Sequence, residues 1–253
     1  MKIEVALAAL LAAGAAVAEK PAEAKPAKEN LVFVCAHPDD TEGFGATAFL
    51  LRGKYDLHVV DLTRGELGLG PAGLKDGSTA KRRTAEEQRA CAYLGATPHF
   101  LSEIDGDACA GAKSVDQLAA LLRALKPRAV FTHWPVDAHS DHVQAAAVTA
   151  HALARTCGEI RPERYFYEVM TEQTANYRPL YWIDVTSTIS NKIEMLSKYE
   201  CQSWGGQLES DNRKRAEMRG RQAKVGFAET FTTFDGRPIP GGVLAPYAVP
   251  GIR

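Results

Sequence analysis

The sequence predicts an α/β fold: a three-layer, Rossmann-like, mostly parallel sheet with helices on both faces. Three observations predict it. Short apolar runs such as Leu31-Val32-Phe33-Val34-Cys35 and Ala129-Val130-Phe131-Thr132 lack polar alternation, as strands buried on both faces do. Stretches of helical periodicity separate these runs. Strand and helix then alternate along the chain, which argues for crossover units in a parallel sheet.

The elements follow in order. Lys2, the apolar stretch Val5 to Ala16 and Ala16-Val17-Ala18 read as an export signal with a small-residue cleavage site, so residues 1–18 are expected to be removed. The apolar core is too short for a comfortable membrane span, and no other stretch approaches that length. The protein is therefore expected to be secreted or periplasmic, with no stable membrane span after cleavage, and cytoplasmic if the signal is not used. Residues 19–30, rich in Ala, Pro, Lys and Glu, read as a linker. One domain is expected over 31–253.

It opens with the strand Leu31–Cys35 and a helix over Gly43–Arg52. A strand at Leu57–Leu62 follows, then a Gly-rich loop over Thr63–Ser78, long enough to suggest function. Thr79–Leu94 is a helix stopped by Gly95. A strand at His99–Leu101, a helix at Val115–Leu125, the strand Ala129–Thr132 and a helix at Val143–Arg155 come next. Strands are read at Tyr165–Val169 and Tyr181–Val185, and helices near Ser187–Tyr199 and Leu208–Lys224. The tail from Phe227, rich in Pro and Gly, reads as irregular.

A formal net charge of −1 gives no basic footprint for nucleic acid. The five cysteines form no C-x-x-C pair and no complete disulfide framework. Gly65, Gly68 and Gly70 do not make a G-x-G-x-x-G fingerprint, which argues against nucleotide binding.

Two clusters carry the chemistry. Ala36-His37-Pro38-Asp39-Asp40-Thr41-Glu42 directly follows the first strand, and Asp137-Ala138-His139-Ser140-Asp141-His142 follows the strand at Ala129–Thr132. Ligands bind at the carboxyl ends of such strands. Imidazole and carboxylate are the usual partners of Zn²⁺, and three protein ligands leave a position open for water. Each cluster alone has a plainer reading: acids at a helix N-terminus, an ordinary N-cap, or histidines three apart on one helix face. Two clusters at two strand ends favour a metal site.

AHPDDTE and DAHSDH resemble the two signature motifs of the PIG-L/LmbE-like zinc-dependent N-acetylglucosaminyl deacetylases. Thr63-Arg64-Gly65-Glu66-Leu67-Gly68 resembles that family's T-x-G-E-x-G segment, and Arg83, Glu86 and Leu94-Gly95 its R-x-x-E…LG helix. The resemblance covers about Leu31 to Ala154. It implies His37, Asp40 and His142 as ligands of Zn²⁺, or of Fe²⁺ or Co²⁺, which accept similar donors. It implies Asp39 as general base and His139 as the residue that stabilises the oxyanion and helps the amine leave, with Asp141 orienting it. Arg83 and Asp105 would bind substrate, expected to be a small N-acetylated amino sugar or a glycoconjugate. The apolar Leu67–Gly73 loop departs from the polar loop of thiol-pathway relatives. His133, directly after a strand, either approaches the pocket or packs beside Trp134.

Overall fold

The computed structural model describes residues 27–68, 78–170 and 172–252. The export signal, most of the linker and residues 69–77 of the Gly-rich loop lie outside them.

Among the described residues one seven-stranded sheet organises the chain. In chain order the elements are β1 (Glu29–Cys35), α1 (Gly45–Leu51), β2 (Tyr55–Asp61), α2 (Thr79–Leu94), β3 (Ala96–Phe100), α3 (Ala112–Leu125), β4 (Ala129–His133), α4 (Ser140–Arg155), β5 (Glu163–Tyr167), β6 (Tyr181–Asp184), α5 (Ile189–Leu196), α6 (Gln207–Ala223) and β7 (Ala228–Thr233). The spatial order is β3-β2-β1-β4-β5-β7-β6. The first five strands in space run parallel, and β7 lies antiparallel between β5 and β6.

Side-chain alternation on β1 explains the layers. Leu31, Phe33 and Cys35 point to one face, where they join Phe44, Ala48, Ala90, Leu94 and Met195 from α1, α2, α5 and the turn before α1. Val32 and Val34 point to the other and meet Val115, Leu118, Leu122, Ala145 and Val148 from α3 and α4. Phe33 stacks on Phe44 at 4.3 Å and on Phe131 at 4.5 Å, tying β1 to β4 across the centre. Thus the apolar runs are central strands because both faces are covered.

Most element ends shift by one to three residues from the sequence reading, and two differences matter more. The linker ends earlier, because Glu29 and Asn30 already pair in register with Tyr55 and Asp56. The tail is not irregular from Phe227: Ala228–Thr233 is a fully buried strand. Its polar residues hid it. Glu229 pairs with Lys192 at 2.7 Å, and Thr230 donates to Glu168 at 2.9 Å, so polarity there marks partners rather than solvent.

The chain leaves β1 toward β2 and β3, then returns to the other side of β1 to place β4. The crevice outside the carboxyl ends of β1 and β4 is therefore the switch point at which open α/β sheets bind ligands. No helix among the described residues is long and apolar enough to cross a membrane.

Candidate metal and catalytic site

The turn after β1 is built around Asp40. Its Oδ2 accepts hydrogen bonds from the backbone N–H groups of Ala36 (2.9 Å) and His37 (2.8 Å) and lies 3.1 Å from His133 Nε2. Its Oδ1 faces His142 Nε2 at 3.4 Å. Asp39 takes φ 101° and ψ −19°, a left-handed conformation rare outside glycine. Such strain persists only where the surroundings impose it, and it collects at functional sites.

The second cluster arrives from β4. His139 is the N-cap of α4, and its Nδ1 accepts the Asp141 N–H at 3.3 Å. That leaves Nε2 as the protonated nitrogen of a neutral ring. His142, in the first turn of α4, stacks between its neighbours, 4.6 Å from His139 and 4.2 Å from His133. Its Nδ1 lies 3.3 Å from Asp137 Oδ1, without the alignment of a full hydrogen bond.

Asp141 differs from expectation. Its carboxylate does not hold His139. Oδ2 lies 3.1 Å from His37 Nε2 and accepts the Gly106 N–H at 2.7 Å. The cause is the α4 N-terminus: capping by the His139 ring turns that ring toward the backbone of Asp141, and the carboxylate points to His37 instead. Asp105 joins it, with Oδ1 3.2 Å from His37 Nε2 and Oδ2 accepting the Leu67 N–H at 2.9 Å.

Charge in the site is shaped by these contacts. Burial opposes the charge on His37, but its bonds to Asp105 and Asp141 outweigh burial and push its pKa up to about 9. Burial likewise opposes His142, while Asp40 and Asp137 raise it to about 10. Burial also disfavours the Asp40 carboxylate, yet His133 and His142 hold it well below the usual carboxylate range. Burial and the charge of His142 push His133 down to about 4. His139 is lowered by burial and by the charges of His37 and His142. Asp39 is raised by burial, against the pull of Arg83, to about 7.

The residues fit a divalent cation. Three groups, His37/His139/His142, Asp40/His133/His142 and His37/Asp105/Asp141, each bring ligand atoms within 4.8 Å of one another. The expected set, His37, Asp40 and His142, bridges them. Two buried imidazoles held protonated beside carboxylates mark a place where a cation would replace protons. Asp141 and Asp105 on His37 Nε2, and Asp137 near His142 Nδ1, stand where outer carboxylates would orient these imidazoles on a cation.

Arg83 is buried and lies against Asp39. It donates to Asp39 Oδ1 at 2.8 Å, to the Pro38 carbonyl and to the Gly65 carbonyl at 3.3 Å. A Cβ on Gly65 or Gly68 would fall 2.3 or 2.2 Å from Nη1, so those glycines let the loop lie against the guanidinium. Glu42 reaches away from the cluster and accepts from Asn212 Nδ2 at 2.5 Å. His133 is the residue whose place the sequence left open. Its position directly after a strand that ends at the site was the available signal.

A cavity of about 900 Å³ opens over this cluster, reached by His37, Asp39, Arg83, Asp105 and His139 and extending across α6.

Residues 32–153 match the model of the PIG-L family, GlcNAc-PI de-N-acetylase. Across that segment the chain resembles the PIG-L family. A 4-oxalmesaconate hydratase of Pseudomonas putida is 28% identical over 79% of this chain and 82% of its own length. A 1D-myo-inositol 2-acetamido-2-deoxy-alpha-D-glucopyranoside deacetylase of Actinosynnema mirum is 30% identical over 58% of this chain, which spans 62% of that enzyme. The conserved protein TT1542 from Thermus thermophilus superposes with a TM-score of 0.70 at 25% identity, over 84% of this chain and 97% of its own. An N,N'-diacetylchitobiose deacetylase from Pyrococcus horikoshii gives a TM-score of 0.72 at 21% identity over 82% and 84%, a likeness of fold. These solved structures share the α/β fold of this chain.

Proposed function

We propose that the chain is a divalent-metal-dependent N-deacetylase acting on an N-acetylated amino sugar or its conjugate. The observation that carries this is the ring of roles around one cavity. Asp39, raised toward neutrality, sits beside the expected ligands His37, Asp40 and His142, and the neutral His139 stands on the other cluster.

His37, Asp40 and His142 would hold the cation, with Zn²⁺ the best match to two imidazoles and a carboxylate and Fe²⁺ or Co²⁺ able to take the same donors. Bound there, it supplies Lewis acidity toward water and an amide carbonyl. Asp39 takes the proton from the attacking water and returns it to the departing amine nitrogen. Arg83 keeps the Asp39 carboxylate aimed. His139 Nε2–H donates to the carbonyl oxygen as it gains charge. Asp141 and Asp105 fix the His37 ring. Arg83 and Asp105 line the cavity and would meet the sugar. The deacetylase from Actinosynnema mirum supports the acetamido-sugar class.

A second reading, addition of water to an unsaturated acid, is favoured by the longer match to the hydratase. One panel separates them: acetate release from N-acetylglucosamine and its glycosides, beside hydration of 4-oxalmesaconate, with the metal-loaded protein. Acetate from the sugars supports the deacetylase; hydration without acetate overturns it. The reading of residues 1–18 makes this an envelope or secreted activity, tested by N-terminal sequencing of protein from separated cell fractions.

A further inference from the structure

β4 ends on a side chain that the proposed reaction does not use. Along β4, Phe131 and His133 lie two residues apart and point to one face. Phe131 stacks on Phe33 and on Tyr165. His133 then reaches the turn after β1, because Val34 pairs with Thr132 and the two strands end side by side. Tyr167 backs the His133 ring at 4.9 Å, and the Tyr167 hydroxyl is itself tied to the Val34 carbonyl at 2.9 Å. His133 is only 1% exposed and lies behind the cavity wall, so it does not meet substrate.

Two of the expected metal ligands lean on this one ring. Its Nε2 lies 3.1 Å from Asp40 Oδ2. Its face stacks on His142, with centroids 4.2 Å apart and planes 19° apart. The contact with Asp40 assigns the tautomer: a carboxylate oxygen only accepts, so His133 Nε2 carries the proton. The Ala36 N–H lies 3.1 Å from the same nitrogen and gives its bond to Asp40 Oδ2 at 2.9 Å. With its proton turned to Asp40, Nε2 has no lone pair for a cation, although it lies within 4.8 Å of ligand atoms on Asp40 and His142.

The consequence falls on Asp40. Oδ2 takes three donors: the Ala36 N–H, the His37 N–H at 2.8 Å and His133. Three donors saturate one oxygen. Oδ1 faces His142 Nε2 at 3.4 Å and is the oxygen left for a cation. One oxygen from Asp40 and one nitrogen each from His37 and His142 make three donors, which leaves a tetrahedral ion a place for water. A carboxylate binding through both oxygens would fill that place.

We propose that His133 is a positioning residue for the metal: its Nε2–H ties up Asp40 Oδ2 and its ring sets the plane of His142, so that Asp40 binds the cation through Oδ1 alone. This rests on the metal reading of the site and not on which bond is hydrolysed.

Zinc and cobalt binding to the full chain test it without any substrate. His133→Phe keeps a flat ring against His142 and removes the donor. His133→Gln keeps an amide donor near the Nε2 position and removes the stacked ring. The Zn²⁺ Kd, from competition with a chelator, should rise about 10–100-fold in His133→Phe and less than about tenfold in His133→Gln. The visible d–d absorption of bound Co²⁺ should match wild type in His133→Gln. It should weaken in His133→Phe, as the freed Oδ2 joins the ion and raises its coordination number. Thermal unfolding of the metal-stripped proteins shows that each is folded, and His133→Leu takes the place of His133→Phe if that variant is not. Wild-type affinity and spectrum in His133→Phe would overturn the proposal. So would an equal loss of metal from both variants, the mark of His133 as a direct ligand, or a wild type that binds neither ion. Metal bound as expected, with no acetate released from any sugar, would fault the deacetylase reading alone.

Discussion

Lys192→Met should destabilise the fold by about 3 kcal/mol at neutral pH. Lys192 is 1% exposed, and its Nζ donates to the Glu42 carbonyl at 2.5 Å and to Glu229 Oε1 at 2.7 Å. Burial, the largest influence, pulls its pKa below the ordinary value, and Glu229 pulls it back. Removing one member of a buried ion pair costs about 3–5 kcal/mol, because the other is left charged and dry. The lower end applies here. The Glu229 carboxylate keeps the Ala46 (3.1 Å) and Thr47 (2.7 Å) N–H groups at the start of α1, where a negative charge is favoured. Adding Glu229→Gln should recover at least half of the loss, since the buried charge then disappears. Urea unfolding of wild type, both single variants and the double variant, all with metal stripped by chelator, gives the cycle. A loss under about 1 kcal/mol for Lys192→Met, or strictly additive single losses, would refute the view that this pair is energetically coupled in the core. The site depends on it too, because Lys192 and Arg215 both hold the Glu42 carbonyl two residues from Asp40.

Three further outcomes are expected. Gly65→Ala, at φ +66° and with its new Cβ against the Arg83 guanidinium, should lose about 1–3 kcal/mol of stability and most activity, read by thermal unfolding and turnover. His142→Ala should abolish stoichiometric metal binding, measured by elemental analysis after dialysis. His58 and His99, bonded at 3.0 Å, are both lowered by burial, and His99 also by the charge of His58. The unfolded chain then binds protons first, near pH 6.5, so this pair removes stability as pH falls through that value. The Tm drop between pH 7.5 and 5.5 should accordingly shrink in the double variant His58→Gln, His99→Gln.

Much of this was legible in the sequence because local signals agreed with the fold. Thr79–Leu94 was readable to the residue, since Gly95 takes φ 80° and stops α2. β1 and β4 were readable because strands covered on both faces show unbroken apolar runs. The strand-end motifs named His37, Asp40 and His142, and the fold brings their side chains together. Three features were hidden for one physical reason: a buried polar group looks like a surface group until its partner is known. β7 hid behind Glu229 and its threonines. Asp141 was paired with the wrong histidine, because spacing along α4 does not reveal where a carboxylate points once a cap turns the neighbouring ring. His133 showed only its place at a strand end, which left open whether it would pack beside Trp134 or sit, as it does, 3.1 Å from Asp40 Oδ2.

In the proposed function Asp39 moves the proton while His37, Asp40 and His142 hold the metal. The most direct test of this is acetate release from N-acetylglucosamine glycosides by wild type and Asp39→Asn, with bound metal counted in both. One equivalent of metal in each protein, with turnover in the variant reduced by about 10²–10⁴-fold, is the predicted result. Full turnover in Asp39→Asn, or turnover lost only because the metal was lost, would contradict it.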